Sequence, residues 1–122
     1  MAVSGSTPTR RLRTEAVPIV DLFAGPGGLG EGFSSIIAPE GHRAFRIALS
    51  IEKDPVAHRT LSLRAMFRHF ARPEDVPDAY YDYLRGNWPT RLELGRHPAM
   101  REAAEAAAIE ARCATLGETP MR

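Results

Sequence analysis

Residues 16–30 constrain the fold more than any other part of the sequence. A nearly continuous apolar run over Ala16–Phe23 leads directly into a loop with four glycines between positions 25 and 30. Short apolar runs of this kind are typical of a central parallel strand that is buried on both faces. After the loop, apolar residues recur at helical spacing. The segment therefore predicts a strand, a glycine loop and a helix whose apolar face carries Leu29, Phe33, Ile36 and Ile37.

A second unit of the same kind follows. The apolar run Phe45–Ile51 predicts a second strand, and a crossover through a helix makes it parallel to the first. Asp54 and Pro55 form an N-cap followed by proline at the first helical position, which predicts a helix to about Ala71. One stripe of this helix is expected to face the core, and it comprises Val56, Thr60, Leu63, Phe67 and Phe70.

The rest of the chain carries weaker signals. Prolines and glycines between Pro73 and Pro98 predict a surface excursion with little regular structure, apart from a short helix at Asp78–Leu84. An alanine-rich helix is expected from Pro98 to Leu116, with Cys113 buried inside it. We therefore divide the chain into a flexible leader (1–15), a cofactor-binding unit (16–72), and an irregular insertion with a C-terminal helix (73–122).

Composition excludes several classes of protein. Sixteen basic and fifteen acidic residues give a net charge of +1, which is too small to indicate nucleic-acid binding by bulk charge. A single cysteine cannot form an internal disulfide, so we expect a cytoplasmic protein. No apolar run is long enough to span a membrane. The four histidines lack the spacing of metal ligands, and we predict no metal site.

The glycine loop is the first candidate binding element. Gly25, Gly27 and Gly30 fit the pattern G-x-G-x-x-G, and a predicted strand and helix flank them as in Rossmann-type nucleotide sites. A loop with few Cβ atoms lets the backbone approach a ligand closely. The same glycines would also suit a tight connection with no ligand, so the pattern alone leaves both interpretations open.

Glu52 adds a second, independent feature. It lies 22 residues after Gly30, at the predicted carboxyl end of the second strand. An acid at that position can accept hydrogen bonds from both hydroxyls of an adenosine ribose, and it disfavours a cofactor with a 2′-phosphate. An acid that merely faces water is the alternative for Glu52. Phe23 is likewise either a core residue or the edge of a purine site.

These residues resemble the first two motifs of DNA (cytosine-5) methyltransferases. The first motif is Asp-Leu-Phe-Ala-Gly-Pro-Gly-Gly at 21–28, and the second is Ile-Glu-Lys-Asp at 51–54. The resemblance implies a partial Rossmann-like α/β fold and S-adenosylmethionine as cofactor. It implies that Phe23 flanks the adenine, Glu52 binds the ribose and Lys53 lies beside the purine. The methionine end would lie against the loop backbone, formed by Gly25, Pro26, Gly27, Gly28 and Leu29.

Two residues favour this methyl donor over a dinucleotide. Pro26 removes one amide from the loop, which suits a single carboxylate better than a pyrophosphate. Asp21 would repel phosphates but attract an ammonium or sulfonium group. A dinucleotide-binding module of an oxidoreductase stays as the alternative.

The chain contains no counterpart of the family's catalytic half. Methylation at carbon 5 of cytosine needs a thiolate to add at carbon 6. The Pro-Cys loop, the Glu-Asn-Val segment and the DNA-reading region are all absent, and Cys113 has no proline before it. We expect a fragment of a restriction-modification enzyme that is inactive alone and binds DNA weakly or not at all. A second polypeptide supplying the catalytic half is the other possibility, and the uncovered sheet edge predicts marginal stability or self-association.

Overall fold

The computed structural model describes residues 16–87 and 91–118. Three strands and five helices are present in these ranges, together with a short 3-10 turn at Pro73–Asp75. The strands are β1 (Val17–Asp21), β2 (Phe45–Glu52) and β3 (Ala111–Cys113). The helices are α1 (Gly28–Ser34), α2 (Pro55–His69), α3 (Asp78–Leu84), α4 (Arg91–Arg96) and α5 (Arg101–Glu110). Each helix in these ranges is too short or too polar to cross a membrane.

The three strands form one parallel sheet in the order β1-β2-β3. Val17 pairs with Phe45 and Asp21 with Ser50, with a shift in register between Ile19 and Val20. On the other side of β2, the ladder runs from Ser50–Ala111 to Glu52–Cys113. The parallel pairing of the first two strands is confirmed. The chain therefore has the partial Rossmann-like α/β fold that the sequence predicts.

The start of α2 also agrees with the sequence. Asp54 accepts from the amides of Val56 and Ala57 at 3.3 Å each, and Pro55 occupies the first turn. The predicted stripe of this helix is correct only in part. Leu63, Phe67 and Phe70 are partly buried and pack against the core, but Val56 and Thr60 are exposed. Val56 is 64% exposed, whereas Leu61, Ala65 and their neighbours Ser62 and Met66 are buried. The helix is rotated because its most extensive contact is with α5, whose small side chains admit a close approach.

The segment after Pro73 contributes to the core instead of forming an irregular excursion. The predicted short helix is present as α3, and its Tyr80 donates to the carbonyl of Leu63 at 3.1 Å. Leu94 of α4 and Met100 are completely buried. These side chains join Leu61 of α2 in one apolar cluster, because α2 needs a cover that the three-stranded sheet does not provide.

The alanine-rich helix ends earlier than the sequence predicts. Helix α5 stops at Glu110, and Ala111–Cys113 forms β3. The carbonyl of Ala111 accepts a hydrogen bond from Nε2 of His58 at 2.9 Å. Residues 111–113 also pair with β2 as a parallel strand. These tertiary contacts outweigh the helix propensity of the alanines. Cys113 is consequently exposed at the end of a strand, not buried in a helix.

Helix α1 is also shorter than predicted. It ends at Ser34, so Ile36 and Ile37 lie beyond it and are exposed, and Ile37 forms an isolated antiparallel bridge with Arg43. Phe33 does face the sheet, with its ring 5.1 Å from that of Phe45. The glycine loop thus connects β1 to two helical turns only.

Candidate nucleotide-binding site

The carboxyl ends of the three strands meet at one edge of the sheet because the strands are parallel. There, β1 ends at Asp21, β2 at Glu52 and β3 at Cys113. In open parallel sheets, ligands bind in the crevice outside the carboxyl ends of the strands. A cavity of about 460 Å³ opens instead beside the amino end of β2, lined by Phe45, Arg46 and Ile47 among others. We assign the candidate site to the carboxyl edge, where the glycine loop lies.

The glycine loop adopts a left-handed backbone conformation, which favours glycine, at two positions. Gly25 has a φ of 57° and Gly27 a φ of 97°. A Cβ on Gly27 would lie 3.0 Å from Cδ1 of Leu61, so the loop packs directly on α2. A Cβ on Gly25, in contrast, would meet no atom within 4 Å. The loop therefore has one side pressed against the core and one side open.

Glu52 joins the loop to the end of β2. Its Oε1 accepts from the amide of Gly25 at 2.9 Å, and its Oε2 accepts from the amide of Asp54 at 2.8 Å. The amide of Ala24 also donates to the carbonyl of Ile51 at 2.9 Å. The two motifs, 27 positions apart, are therefore in direct contact. Each carboxylate oxygen keeps a further lone pair with which it can accept from a ligand hydroxyl.

A groove of about 370 Å³ lies beside this contact. Such a volume falls within the usual range of small-molecule sites, roughly 300–1,000 Å³. The ring of Phe23 is 82% exposed at the groove, and the Glu52 carboxylate supplies its acidic group. The full lining consists of Leu22, Phe23, Ile51, Glu52, Lys53, Ala114, Thr115 and Leu116.

Residues 114–116 were missed by sequence reasoning. The sequence prediction assigned them to the last turns of the alanine-rich helix, whereas they follow β3 and form one wall of the groove. The amide of Ala114 donates to the carbonyl of Glu52 at 3.2 Å, which holds this wall beside β2. The weak helix propensities of Cys113 and Thr115 were the one available signal for an early helix end.

The structure brings together only part of the predicted set. Phe23, Glu52 and Lys53 line the groove, whereas Gly25 does not line it and only donates a hydrogen bond to Glu52. The groove lining does not include Pro26, Gly27, Gly28 or Leu29. We expected the loop amides to face a ligand, but two of them donate hydrogen bonds within the chain. The amide of Gly25 donates to the Glu52 carboxylate, and the amide of Gly27 donates to the carbonyl of Ala24 at 3.0 Å.

A buried arginine joins three helices beside the amino end of β2, away from the groove. The side chain of Arg68 on α2 is only 7% exposed, and it lies 3.0 Å from Glu31 of α1 and 3.0 Å from Glu110 of α5. Burial raises the pKa of Glu110 above its ordinary value, while Arg68 acts in the opposite direction. Glu31 follows the glycine loop and Glu110 precedes β3. Arg68 therefore joins α1, α2 and α5 at the cavity beside the amino end of β2.

Comparison with known proteins gives one similarity. Over 94 residues, the chain is 33% identical to the type II methyltransferase M.Bpa9945I of Bacillus paralicheniformis, a match that covers 71% of this chain. The match covers 19% of the relative, so the chain corresponds to about a fifth of that protein's length. No family model matches the chain, and no solved structure matches it. The fold is a partial Rossmann-like methyltransferase fold. The similarity supports a methyltransferase family for this chain.

Proposed function

We propose that this chain is the cofactor-binding part of a DNA (cytosine-5) methyltransferase from a restriction-modification system. In this proposal it binds S-adenosylmethionine and does not transfer a methyl group by itself. The observation that carries the proposal is the contact between the Glu52 carboxylate and the Gly25 amide, with an apolar groove beside it. One ligand with an adenosine end could touch the acid, the Phe23 ring and the loop together.

The groove fits a nucleoside in its chemistry. The apolar wall formed by Leu22, Ile51 and Leu116 suits a purine, and the exposed Phe23 ring can contact the flat face of a base. Glu52 would bind the ribose hydroxyls and Lys53 would lie beside the purine. The open side of Gly25 would admit the amino-acid end, with Pro26, Gly27, Gly28 and Leu29 completing that part of the loop. S-adenosylmethionine, when bound, supplies an electrophilic methyl group on a sulfonium centre.

The loop contacts also bear on the dinucleotide alternative. A pyrophosphate site depends on several free backbone amides. The loop contains Pro26, which has no amide hydrogen. The amides of Gly25 and Gly27 already donate hydrogen bonds within the chain. Fewer donors remain for two phosphates, which supports a methyl donor with a single carboxylate.

The proposal is tested by calorimetric titration with S-adenosylmethionine, S-adenosylhomocysteine and NAD. We expect the two sulfur nucleosides to bind and NAD not to bind. Glu52→Gln should weaken their binding by about 10- to 100-fold, since a hydrogen bond to a charged group contributes about 1.5–3 kcal/mol. Glu105→Gln, on the exposed side of α5, is the matched control and should leave the affinity unchanged.

Two results would contradict this assignment. Tighter binding of NAD than of S-adenosylmethionine would favour the oxidoreductase module. Binding that Glu52→Gln and Glu105→Gln affect equally would remove Glu52 from the site. Methyl transfer to cytosine in DNA requires a Pro-Cys loop. Cys113 does not provide one, because its thiol donates to the carbonyl of Lys53 at 3.7 Å and no proline precedes it.

A further inference from the structure

The Glu52 carboxylate is held from two sides by backbone amides. The amide of Gly25 donates to Oε1 at 2.9 Å, and the amide of Asp54 donates to Oε2 at 2.8 Å. Because a carboxylate is planar, a donor on each oxygen fixes both its position and the tilt of its plane. The lone pairs that remain free are thus oriented before a ligand binds. The orientation of Glu52 therefore depends on what holds these two amides.

Asp54 anchors one of the two amides to helix α2. Its side chain accepts from the amides of Val56 and Ala57 at 3.3 Å each, and its carbonyl accepts from the amide of His58 at 2.9 Å. Its backbone is extended, with φ −76° and ψ 118°, as is usual for an N-cap residue. These bonds fix Asp54 on the end of α2 and so hold its amide in place beside Glu52.

Helix α2 also supports the other amide. Gly27 packs on α2 so closely that a Cβ there would lie 3.0 Å from Cδ1 of Leu61, a core residue that is 1% exposed. The amide of Gly27 donates to the carbonyl of Ala24 at 3.0 Å, which closes the turn that carries Gly25. Both amides that hold Glu52 therefore rest on one helix that is anchored in the core.

Asp54 does not itself belong to the groove. The groove lining includes Glu52 and Lys53 but not Asp54. Both oxygens of the Asp54 carboxylate accept from amides in the first turn of α2, where the positive end of the helix dipole favours a negative charge. An effect of this side chain on ligand binding would therefore have to act through Glu52.

We propose that Asp54 is a positioning residue, which holds the Glu52 carboxylate in the orientation that accepts from the two hydroxyls of a ribose. This inference rests on the proposed function for the identity of the ligand. It predicts that the Asp54 side chain affects only ligands that carry the ribose hydroxyls, because only these ligands bond to Glu52. A cap that merely stabilised α2 would affect every ligand of the groove to the same degree.

The positioning is tested first without a ligand, by nuclear magnetic resonance of the chain. The chemical shift of the Gly25 amide proton reports its bond to Glu52. We expect Asp54→Ala to move this shift toward its value in Glu52→Ala, in which the bond is absent. Asp54→Asn should leave the shift unchanged, since asparagine also caps a helix through its side-chain oxygen.

The consequence for binding is measured by calorimetry with S-adenosylhomocysteine and its 2′,3′-dideoxy counterpart. Asp54→Ala should weaken binding of the first about fivefold, as expected for one hydrogen bond of ordinary strength, and leave the second unchanged. Asp54→Asn should bind both as the wild type does. Tyr80→Phe is the matched control for lost stability, because it removes a bond to Leu63 outside the groove and should change neither affinity.

Three results would overturn the proposal. An unchanged Gly25 shift in Asp54→Ala, or equal weakening of both ligands, would show that the cap acts only on the stability of α2. Equal weakening by Asp54→Asn and Asp54→Ala would assign the effect to the charge of Asp54 and not to the cap. A wild-type chain that binds neither nucleoside, but whose Gly25 shift responds to Asp54→Ala, would reject the proposed function while keeping Asp54 as the residue that positions Glu52.

Discussion

The two sides of the sheet contrast in how their residues are covered. On the β3 side, α2 and α5 bury small and medium side chains, including Ala65, Ala103 and Ala107. On the β1 side, larger apolar residues such as Val17 and Val20 stay exposed. The difference shows that burial in this chain depends on which elements are available to pack against a strand, and that β1 lacks such a neighbour within the described ranges.

The largest expected effect tests this contrast directly. Leu94→Ala removes a fully buried side chain and should lower the free energy of unfolding by about 3 kcal/mol. Val20→Ala removes a smaller side chain that is 56% exposed and should change it by about 0.5 kcal/mol or less. Urea unfolding followed by circular dichroism measures both. Equal losses for the two variants would show that β1 is covered in solution by the chain itself or by a second copy.

Arg68 gives an effect of similar size, because it pairs with Glu31 of α1 and Glu110 of α5. Arg68→Ala leaves Glu110 partly buried without its cation and should cost about 3 kcal/mol of stability. Arg59→Ala, at an exposed position of the same helix, is the control and should have little effect. The double variant Arg68→Met with Glu110→Leu should regain most of the loss, since it removes both charges. A double variant as unstable as Arg68→Ala would contradict this account.

The smallest expected effect concerns the core beneath α3. Burial raises the pKa of Tyr80 to about 12. The neutral phenol therefore stabilises the fold below its ordinary pKa of 10, and this contribution is lost as the pH rises from 10 to about 12. Tyr80→Phe should cost about 1 kcal/mol at neutral pH through the lost bond to Leu63. It should also remove the late step from the titration of tyrosinate absorbance, and a late step that persists would contradict this account.

Sequence reasoning was most successful where local signals and tertiary contacts agree. The N-cap at Asp54, the parallel pair of β1 and β2 and the short helix α3 were all predicted. It failed where a distant segment changed the local preference. The alanines before Cys113 favour a helix, but pairing with β2 and the His58 bond to Ala111 extend them into β3. The wall at 114–116 was missed for the same reason.

The sequence analysis named Phe23, Glu52 and Lys53, which line the groove, but it missed the wall at residues 114–116. Glu52 and the glycine loop were paired from sequence because the order of strand, loop and acid is a local pattern that recurs in nucleotide sites. The structure supports their proximity through the 2.9 Å bond between Glu52 and Gly25. In the structure, the amides of Gly25 and Gly27 donate to Glu52 and Ala24 and not to a ligand. Residue spacing does not show this, because these hydrogen bonds depend on how closely the loop approaches their acceptors.

The sequence by itself determined the order of strand, loop and helix and the acid at the end of β2, because glycine conformation, capping and apolar periodicity act over a few residues. Only the tertiary structure decided that β3 continues the sheet, which face of α2 is buried, and that β1 is an edge strand among residues 16–87 and 91–118. Those outcomes depend on contacts between residues far apart in the chain, whose energies no local pattern contains.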